Sequence, residues 1–198
     1  MSKVLTKEIA DEWIADEGSH DLYEFEAIDG AAAKSLAKHK GEDLDLNGLT
    51  KLSDAAAESL SKHKGYLNLG GLTELSDAAA ECLSKLEGDL TLFGLTKLSD
   101  AAAESLSKHK GYLYLNGLTE LSGAAAESLS KYKGDLDFEE LTELSDAAAE
   151  SLSKHNGELY LWNLTELSDA AAESLSKHKG KINDEDPKEW AEEFRANQ

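Results

Sequence analysis

Apolar and polar residues follow a 23-residue pattern that repeats seven times along this chain of 198 residues. One step, between Gly41 and Gly65, is 24 residues long. A fixed period of this size is typical of stacked units that share one continuous core. The pattern therefore predicts a solenoid and not a globule with a central pocket. The repeats open at Gly18, Gly41, Gly65, Gly88, Gly111, Gly134 and Gly157, and a shortened eighth opens at Gly180.

The first half of each unit alternates in a way that is typical of a short strand. Counted from the glycine, positions 3 and 5 are apolar and position 4 varies, as in Leu113-Tyr114-Leu115. Alternation with a period of two predicts a strand with one buried side. The apolar positions 8 and 11 are predicted to lie in a turn. In the first unit, this scheme places Asp21 and Tyr23 on the outer side of a strand.

The second half of each unit predicts a short helix. Serine at position 12 precedes three alanines, and its hydroxyl can accept a hydrogen bond from a free backbone N–H of the first turn. Alanine favours helix formation, and Glu58 and Lys62 exemplify a recurrent pair four residues apart. Positions 15 and 19, such as Ala102 and Leu106, share the helix face that we expect to be buried. The next glycine is expected to end the helix in a left-handed conformation. The predicted N-caps are Ser53, Ser76, Ser99, Ser122, Ser145 and Ser168.

Both ends of the chain carry large apolar groups that would cover an exposed core. Ile9 and Trp13 are four residues apart near the start. Near the end, Asp186 precedes Pro187, which is typical of a helix start, and Trp190 shares a face with Phe194. The sequence thus predicts an N-terminal helical cap over residues 1–17, one solenoid of seven repeats over residues 18–179, and a strand remnant with a capping helix over residues 180–198.

The segment Leu113-Tyr114-Leu115-Asn116-Gly117-Leu118 resembles the strand segment of the leucine-rich repeat family. The resemblance covers about residues 18–182, and the alanine-rich helix is most similar to bacterial members. It implies an α/β fold: a right-handed solenoid shaped like a horseshoe, with a parallel β-sheet on the concave face and short helices on the convex face. Such proteins typically bind proteins or peptides on the concave face. Where many members place asparagine after the strand, this chain has leucine, as at Leu95 and Leu118.

Positions 2, 4 and 6 flank the buried leucines and are expected to point away from the core. They vary most between repeats, and they carry aromatic and acidic residues. Exposed aromatic side chains contribute strongly to protein interfaces, and neighbouring carboxylates would attract lysine or arginine. The predicted partner-binding residues are Asp43, Asp45, Tyr66, Phe93, Tyr112, Tyr114, Asp135, Asp137, Glu139, Tyr160 and Trp162.

Composition supports a basic protein or peptide as the partner. The formal net charge is −20, which argues against binding to nucleic acid. No apolar run is long enough to span a membrane, and Cys82 is the only cysteine, so no disulfide can form within the chain. We therefore expect a cytoplasmic protein. We also expect that it needs no cofactor. A monomer is the default expectation.

Four other functions compete with partner binding. Catalysis is not expected, since no histidine, serine or lysine converges on the carboxylates of the predicted open sheet. The histidines at position 22 also point to no metal site, because Leu86 and Tyr132 take the same position. Weak calcium binding by Asp43 and Asp45, or by Asp135 and Asp137, is a minor alternative. The main alternative is a structural spacer, either duplicated naturally or close to a designed consensus, that has no specific ligand.

Overall fold

The computed structural model of the chain describes residues 3–41 and 43–197. Within them, helices and short parallel strands alternate in chain order, an α/β arrangement consistent with a repeat solenoid. The helices are α1 (Lys7–Ala15), α2 (Gly30–Leu36), α3 (Asp54–Leu60), α4 (Asp77–Leu83), α5 (Asp100–Leu106), α6 (Gly123–Leu129), α7 (Asp146–Leu152), α8 (Asp169–Leu175) and α9 (Pro187–Ala196). The strands are β1 (Val4–Leu5), β2 (Ala27–Ile28), β3 (Asp43–Asp45), β4 (Tyr66–Asn68), β5 (Leu90–Thr91), β6 (Leu113–Tyr114), β7 (Leu136–Asp137), β8 (Glu143–Leu144), β9 (Leu159–Tyr160) and β10 (Glu166–Leu167).

The strand predicted at positions 3 to 5 is present in six of the seven units, and successive strands pair in parallel. Strands β3 to β6 form one ladder in which equivalent leucines are partners, for example Leu67 with Leu90. Strands β7 and β9 form a second ladder, with Leu136 opposite Leu159. Where the two ladders meet, the side-chain amide of Asn116 donates a hydrogen bond to Asp137. A side-chain contact thus bridges the boundary between the two ladders.

The first unit does not contain its predicted strand. Residues Leu22–Glu24 form a 3₁₀ turn instead, and Asp21 precedes that turn. The physical reason is that His20 occupies the apolar position 3, so the alternation of buried and exposed residues is broken. Leu22 keeps its place in the core, whereas Tyr23 is exposed next to Asp21, to which its hydroxyl donates a hydrogen bond of 3.1 Å.

Positions 10 and 11 were predicted to lie in a turn, but at both ends of the chain they form a second row of strands. Strand β1 pairs with β2, and β8 pairs with β10, each in parallel. Leu5 therefore occupies the place of position 11, and α1 follows it as the helix of a partial repeat that packs beside α2. The N-terminal segment continues the row of helices.

The core lies between the strands and the helices. Leucines at positions 3, 5 and 8 are buried, as in Leu90, Leu92 and Leu95, and each contributes about 1.5–3 kcal/mol through burial. On the helices, the predicted face is buried, with Ala102 and Leu106 fully inside. Small alanines let neighbouring helices lie close together, so each coil buries the side of the next.

The six predicted serine N-caps are confirmed, because each side-chain oxygen accepts a hydrogen bond from the N–H three residues later. The hydroxyl of Ser99 also donates to Asp77 of the preceding coil. The glutamate–lysine pairs are formed at 3.0–3.3 Å on the outer helix surface in Glu58–Lys62, Glu81–Lys85, Glu104–Lys108, Glu127–Lys131, Glu150–Lys154 and Glu173–Lys177.

The expectation that left-handed glycines end the helices is wrong. Among the described glycines only Gly18 has a positive φ, and each repeat helix is followed by a right-handed residue such as Ser107. Four glycines at position 1 lie where neighbouring coils approach closely, namely Gly88, Gly111, Gly157 and Gly180. A Cβ added to Gly88 would lie 1.9 Å from the carbonyl oxygen of Gly65. These glycines therefore allow the stacking of coils.

The position-22 side chains form a buried row beside these glycines, which we call the ring ladder. It contains His39, His63, Leu86, His109, Tyr132, His155 and His178. Two of these rings contact the first glycine of their own coil: the Tyr132 hydroxyl donates to the carbonyl of Gly111 at 2.6 Å, and His178 Nε2 lies 3.0 Å from the carbonyl oxygen of Gly157. A third ring contacts the preceding coil, where His155 Nδ1 lies 3.2 Å from the carbonyl oxygen of Ser130. The position is buried in every coil from His63 onward, and His39 in the first unit is partly exposed.

Burial also sets the protonation of the ring ladder. It lowers the pKa of His109, His155 and His178, because the imidazolium form would lose its hydration, although nearby backbone carbonyls partly oppose the effect. Burial raises the pKa of Tyr132 to about 12. Burial therefore favours the neutral form of His109, His155 and His178.

Apolar side chains near both ends of the chain lie against the core. Ile9, Trp13 and Phe194 are partly buried against the core, and Trp190 is buried. Asp186 caps α9 by accepting from the N–H of Lys188 at 2.9 Å. In the described part of the chain, no helix is both long and apolar enough to cross a membrane.

We predict that Gly88→Ala lowers the free energy of unfolding by about 1–3 kcal/mol, because the new methyl group would press on the preceding coil. Gly30→Ala is the matched control, since no atom lies within 4 Å of its added Cβ. Urea unfolding followed by circular dichroism measures both. Equal destabilisation by the two substitutions would contradict the close-approach explanation.

The ring ladder predicts loss of stability in mild acid. A histidine whose pKa is lowered by folding stabilises the protein fully above its unfolded pKa of about 6.5, and this contribution falls by up to about 1.4 kcal/mol per pH unit below it. His109→Leu should therefore flatten the dependence of unfolding free energy on pH between about pH 7.5 and 5. Leu86→His should steepen it, because it adds a buried imidazole. Identical slopes in all three proteins would rule out the ring ladder as the source.

Candidate functional site

The predicted binding residues lie on one surface, which we call the strand face. It comprises the outward side chains of β3 to β7 and β9, together with those just after the strands. Its residues are Asp43, Asp45, Tyr66, Asn68, Thr91, Phe93, Tyr112, Tyr114, Asn116, Asp135, Asp137, Glu139, Glu158, Tyr160 and Trp162. Leucines at alternate positions face the core, as Leu113 does beside Tyr114. Pleat geometry is therefore what gathers this variable set on one side.

Four predicted aromatic residues come together in the middle of the strand face and form the central aromatic cluster. They are Tyr66, Phe93, Tyr112 and Tyr114. The ring of Tyr114 meets Phe93 edge-on at 5.9 Å and Tyr112 at 6.4 Å between centroids. Tyr112 is 61% exposed and Phe93 is 48% exposed, whereas Tyr114 is half-buried between them. The cluster offers large apolar area whose geometry is fixed by ring contacts.

Thr91 is the exception to the expected exposure of the strand face. It is only 1% exposed, although its position was predicted to face solvent. The hydroxyl groups of Thr91 and Tyr66 share a hydrogen bond of 3.0 Å, and Tyr114 is its partner on the next strand. The small threonine is covered by its larger neighbours and serves as the floor of the central aromatic cluster.

Three carboxylates on and beside β7 form an acidic strip next to that cluster. Asp135 and Glu139 are exposed, and Asp137 is half-buried. Burial raises the pKa of Asp137, while the amide of Asn116 and the N–H of Glu139 partly offset this by donating to its carboxylate. The strip therefore contains a poorly hydrated carboxylate whose charge a cation would stabilise.

Tyr160 and Trp162 lie on the far side of the acidic strip. Their rings stack with centroids 6.3 Å apart, and Trp162 is 52% exposed. Tyr160 is the parallel partner of Asp137, and its hydroxyl donates to Glu158 at 2.8 Å. This hydrogen bond raises the pKa of Tyr160 to about 12. The acidic strip is thus flanked by aromatic rings on both sides.

Asp43 and Asp45 lie at the opposite end of the first ladder. Both are exposed on β3, and strands β4 to β6 separate them from the acidic strip. The structure therefore divides the predicted carboxylates into two groups, of which only the acidic strip lies between aromatic residues.

Several strand-face carboxylates have a structural role that the sequence analysis missed. Asp45 and Asp137 accept from the N–H two residues later, at 3.0 and 3.1 Å, and Asn68 does the same at 2.9 Å. Asp135 accepts from the N–H of Glu158 on the next coil at 2.8 Å. The tendency of Asp and Asn to bond backbone groups two residues ahead could have suggested the first set.

The charge of the strand face is not balanced locally. Its positions in units two to seven contain no lysine or arginine. Among residues 3–41 and 43–197, no ion pair joins its carboxylates to a basic side chain, whereas the helix glutamates pair with lysines, as Glu104 does with Lys108. The strand face therefore carries negative charge that no basic side chain in the described part of the chain neutralises, and this charge attracts cations.

The geometry does not favour a metal site. Within the described ranges, no three histidine, cysteine or acidic side chains lie close enough together to hold a metal ion. Among these described residues neither Asp43 with Asp45 nor Asp135 with Asp137 belongs to such a group, so weak calcium binding stays a prediction. The histidines of the ring ladder are inside the protein, away from the strand face.

In comparisons with known proteins, no family model matches the chain and no curated protein is significantly similar to it.

The link between Asn116 and Asp137 generates a prediction about protonation. Asn116→Ala should raise the pKa of Asp137 further, because the substitution removes a donor to the carboxylate and leaves its burial in place. Carboxyl-carbon NMR during a pH titration measures this pKa directly. Asn68→Ala on β4 is the control and should not move it. An unchanged or lower value in Asn116→Ala would contradict the inferred contact.

Proposed function

We propose that this chain is a non-catalytic scaffold that binds a basic protein or peptide on its strand face. In this proposal the chain is a right-handed, horseshoe-shaped solenoid of the leucine-rich repeat type, with the strand face on its concave side. The repeated order of short parallel strands and helices supports that assignment. At about 4.8 Å between strands, the six strands of this face span about 24 Å, which is sufficient for a small interface.

The observation that carries the proposal is the acidic strip between two sets of aromatic rings. Tyr112 and Trp162 are more than half exposed, so they can bury a large apolar area on contact with a partner. Asp135, Asp137 and Glu139 are like charges on one segment, which repel one another. A lysine or arginine would relieve that repulsion and recover the hydration energy lost by Asp137.

A structural spacer is the second candidate. The hydrogen bonds from Asp45, Asp135 and Asp137 to backbone N–H groups favour it, since these bonds give the acids a role in holding coils together. They do not account for the exposed rings of Tyr112 and Trp162, which stabilise no neighbouring coil through hydrogen bonds. The two candidates therefore differ in what the aromatic residues are for.

Selection from a displayed random-peptide library tests the proposal. Peptides enriched on the wild-type protein should contain lysine or arginine. The double variant Tyr112→Ala/Tyr114→Ala should bind them at least about tenfold more weakly in isothermal titration calorimetry, equivalent to about 1.4 kcal/mol, because the central aromatic cluster is removed. Affinity should also fall as salt is added.

A matched pair of charge variants separates site binding from general attraction. Asp135→Asn/Asp137→Asn retains the side-chain oxygens that accept from the backbone, as Asn68 already does. Glu104→Gln/Glu127→Gln removes the same charge from the helix surface. Only the first pair should weaken binding strongly. Equal losses in the two pairs, or a selection that enriches no basic peptides, would favour the spacer.

A further inference from the structure

A groove of about 400 Å³ lies where the strand face ends against α9, and Trp162 is the only one of its lining residues that was predicted to bind a partner. Its volume falls within the usual range for small-ligand sites, which is about 300–1,000 Å³. Residues from both the last coil and the cap contribute to it. Six lining residues matter here: Trp162, Leu164, Glu185, Trp190, Glu193 and Phe194.

The walls of this C-terminal groove are aromatic and held in place by packing. Trp190 is 6% exposed on the inner side of α9, and its ring lies 5.3 Å from that of Phe194. Trp162 forms the opposite part of the lining and is half exposed. Since Trp162 belongs to both surfaces, the C-terminal groove is continuous with the strand face.

A tight turn holds one acidic residue at the C-terminal groove. The N–H of Ile182 donates to the carbonyl of Glu185 at 3.1 Å, and the reverse bond is 2.9 Å. Asn183 and Asp184 between them have φ values of 51° and 67°, a left-handed conformation that Asn and Asp tolerate. The Asn183 side chain is also fixed, because it accepts from the N–H of Leu161 at 2.6 Å.

The charged residues that line the C-terminal groove are all acidic. Glu185 and Glu193 contribute carboxylates, and no lysine or arginine belongs to the lining in the described part of the chain. The basic residue of the last turn of α9, Arg195, is directed to α8, where it lies 3.2 Å from the carbonyl of Asp169 and 3.5 Å from Glu173. Aromatic faces and carboxylates both attract cations.

We infer that the C-terminal groove binds the guanidinium group of an arginine from the basic partner. A planar guanidinium stacks on indole and phenyl rings and donates in parallel to carboxylates, so it suits this lining better than a neutral side chain does. The identification of the cation as part of a peptide rests on the proposed function. The C-terminal groove itself is tested by a small molecule.

The probe is N-acetyl-arginine N-methylamide, titrated into the full chain while the indole N–H signals are followed by NMR. Trp162 and Trp190 should shift, and Trp13 at the other end should not. N-acetyl-citrulline N-methylamide has nearly the same shape without the charge, and it should bind at least about tenfold more weakly. Equal binding of the two probes would show an apolar pocket and overturn the inference, as would a shift of all three indoles.

Charge variants at exposed positions then locate the site. Glu185→Gln and Glu193→Gln should each weaken binding of the arginine probe several-fold. Glu192→Gln is the matched control, since it removes the same charge from the same helix outside the groove lining. If all three variants weaken binding of the arginine probe equally, the probe is attracted by the overall negative charge of the protein. That result would contradict the inferred site.

The two proposals fail in different ways. Tyr112→Ala/Tyr114→Ala should weaken basic peptides and leave the arginine probe unaffected, because those rings are not part of the C-terminal groove. If the probe binds as expected but no basic peptide does, the C-terminal groove stands and the proposed function falls. If peptides bind the strand face and the probe shifts neither Trp162 nor Trp190, the inference about the C-terminal groove is wrong.

Discussion

The close approach of successive coils is the constraint on which the rest of this structure depends. Backbone hydrogen bonds between neighbouring strands require it, as in the bond of 2.9 Å from the Leu67 N–H to the Asp89 carbonyl. Glycine at position 1 permits it, because a side chain at Gly88 would occupy the place of the Gly65 carbonyl. The small alanine side chains permit the same close approach between neighbouring helices. Once the spacing is fixed, leucines at alternate positions fill a continuous core, and their neighbours must face outward.

Facing outward does not make a side chain free to change. Asp45 and Asp137 help to close the turn after their strands, and Asp135 accepts from the next coil. Asparagine serves the same purpose at position 68, so this role requires a side-chain oxygen and no charge. The charge of these aspartates is therefore surplus to their structural role. That separation supports the proposal that the negative charge of the strand face serves to bind a basic partner.

Sequence reasoning recovered the regular part of the fold and missed what breaks the regularity. Period and alternation were enough to place the strands, the serine caps and the buried helix face, since these follow from local geometry repeated many times. They failed at the first unit, where His20 replaces an apolar residue, and at Thr91, which is buried only because Tyr66 and Tyr114 extend over it. Period and alternation also did not predict the C-terminal groove. Its lining brings together Trp162 of the last coil and Trp190 of α9, and the chain between them passes through a turn with two left-handed residues.

A repetitive scaffold presents the same surface at every coil, so recognition of one particular partner depends on the places where repetition stops. The acidic strip and the C-terminal groove each lie at such a place. The acidic strip lies at the division between the two ladders, where Asn116 contacts Asp137. The C-terminal groove lies where coil gives way to cap, and Trp162 connects it to the strand face. A partner that spans both would be held in one register, since sliding by a single coil would remove its cations from both carboxylate sets.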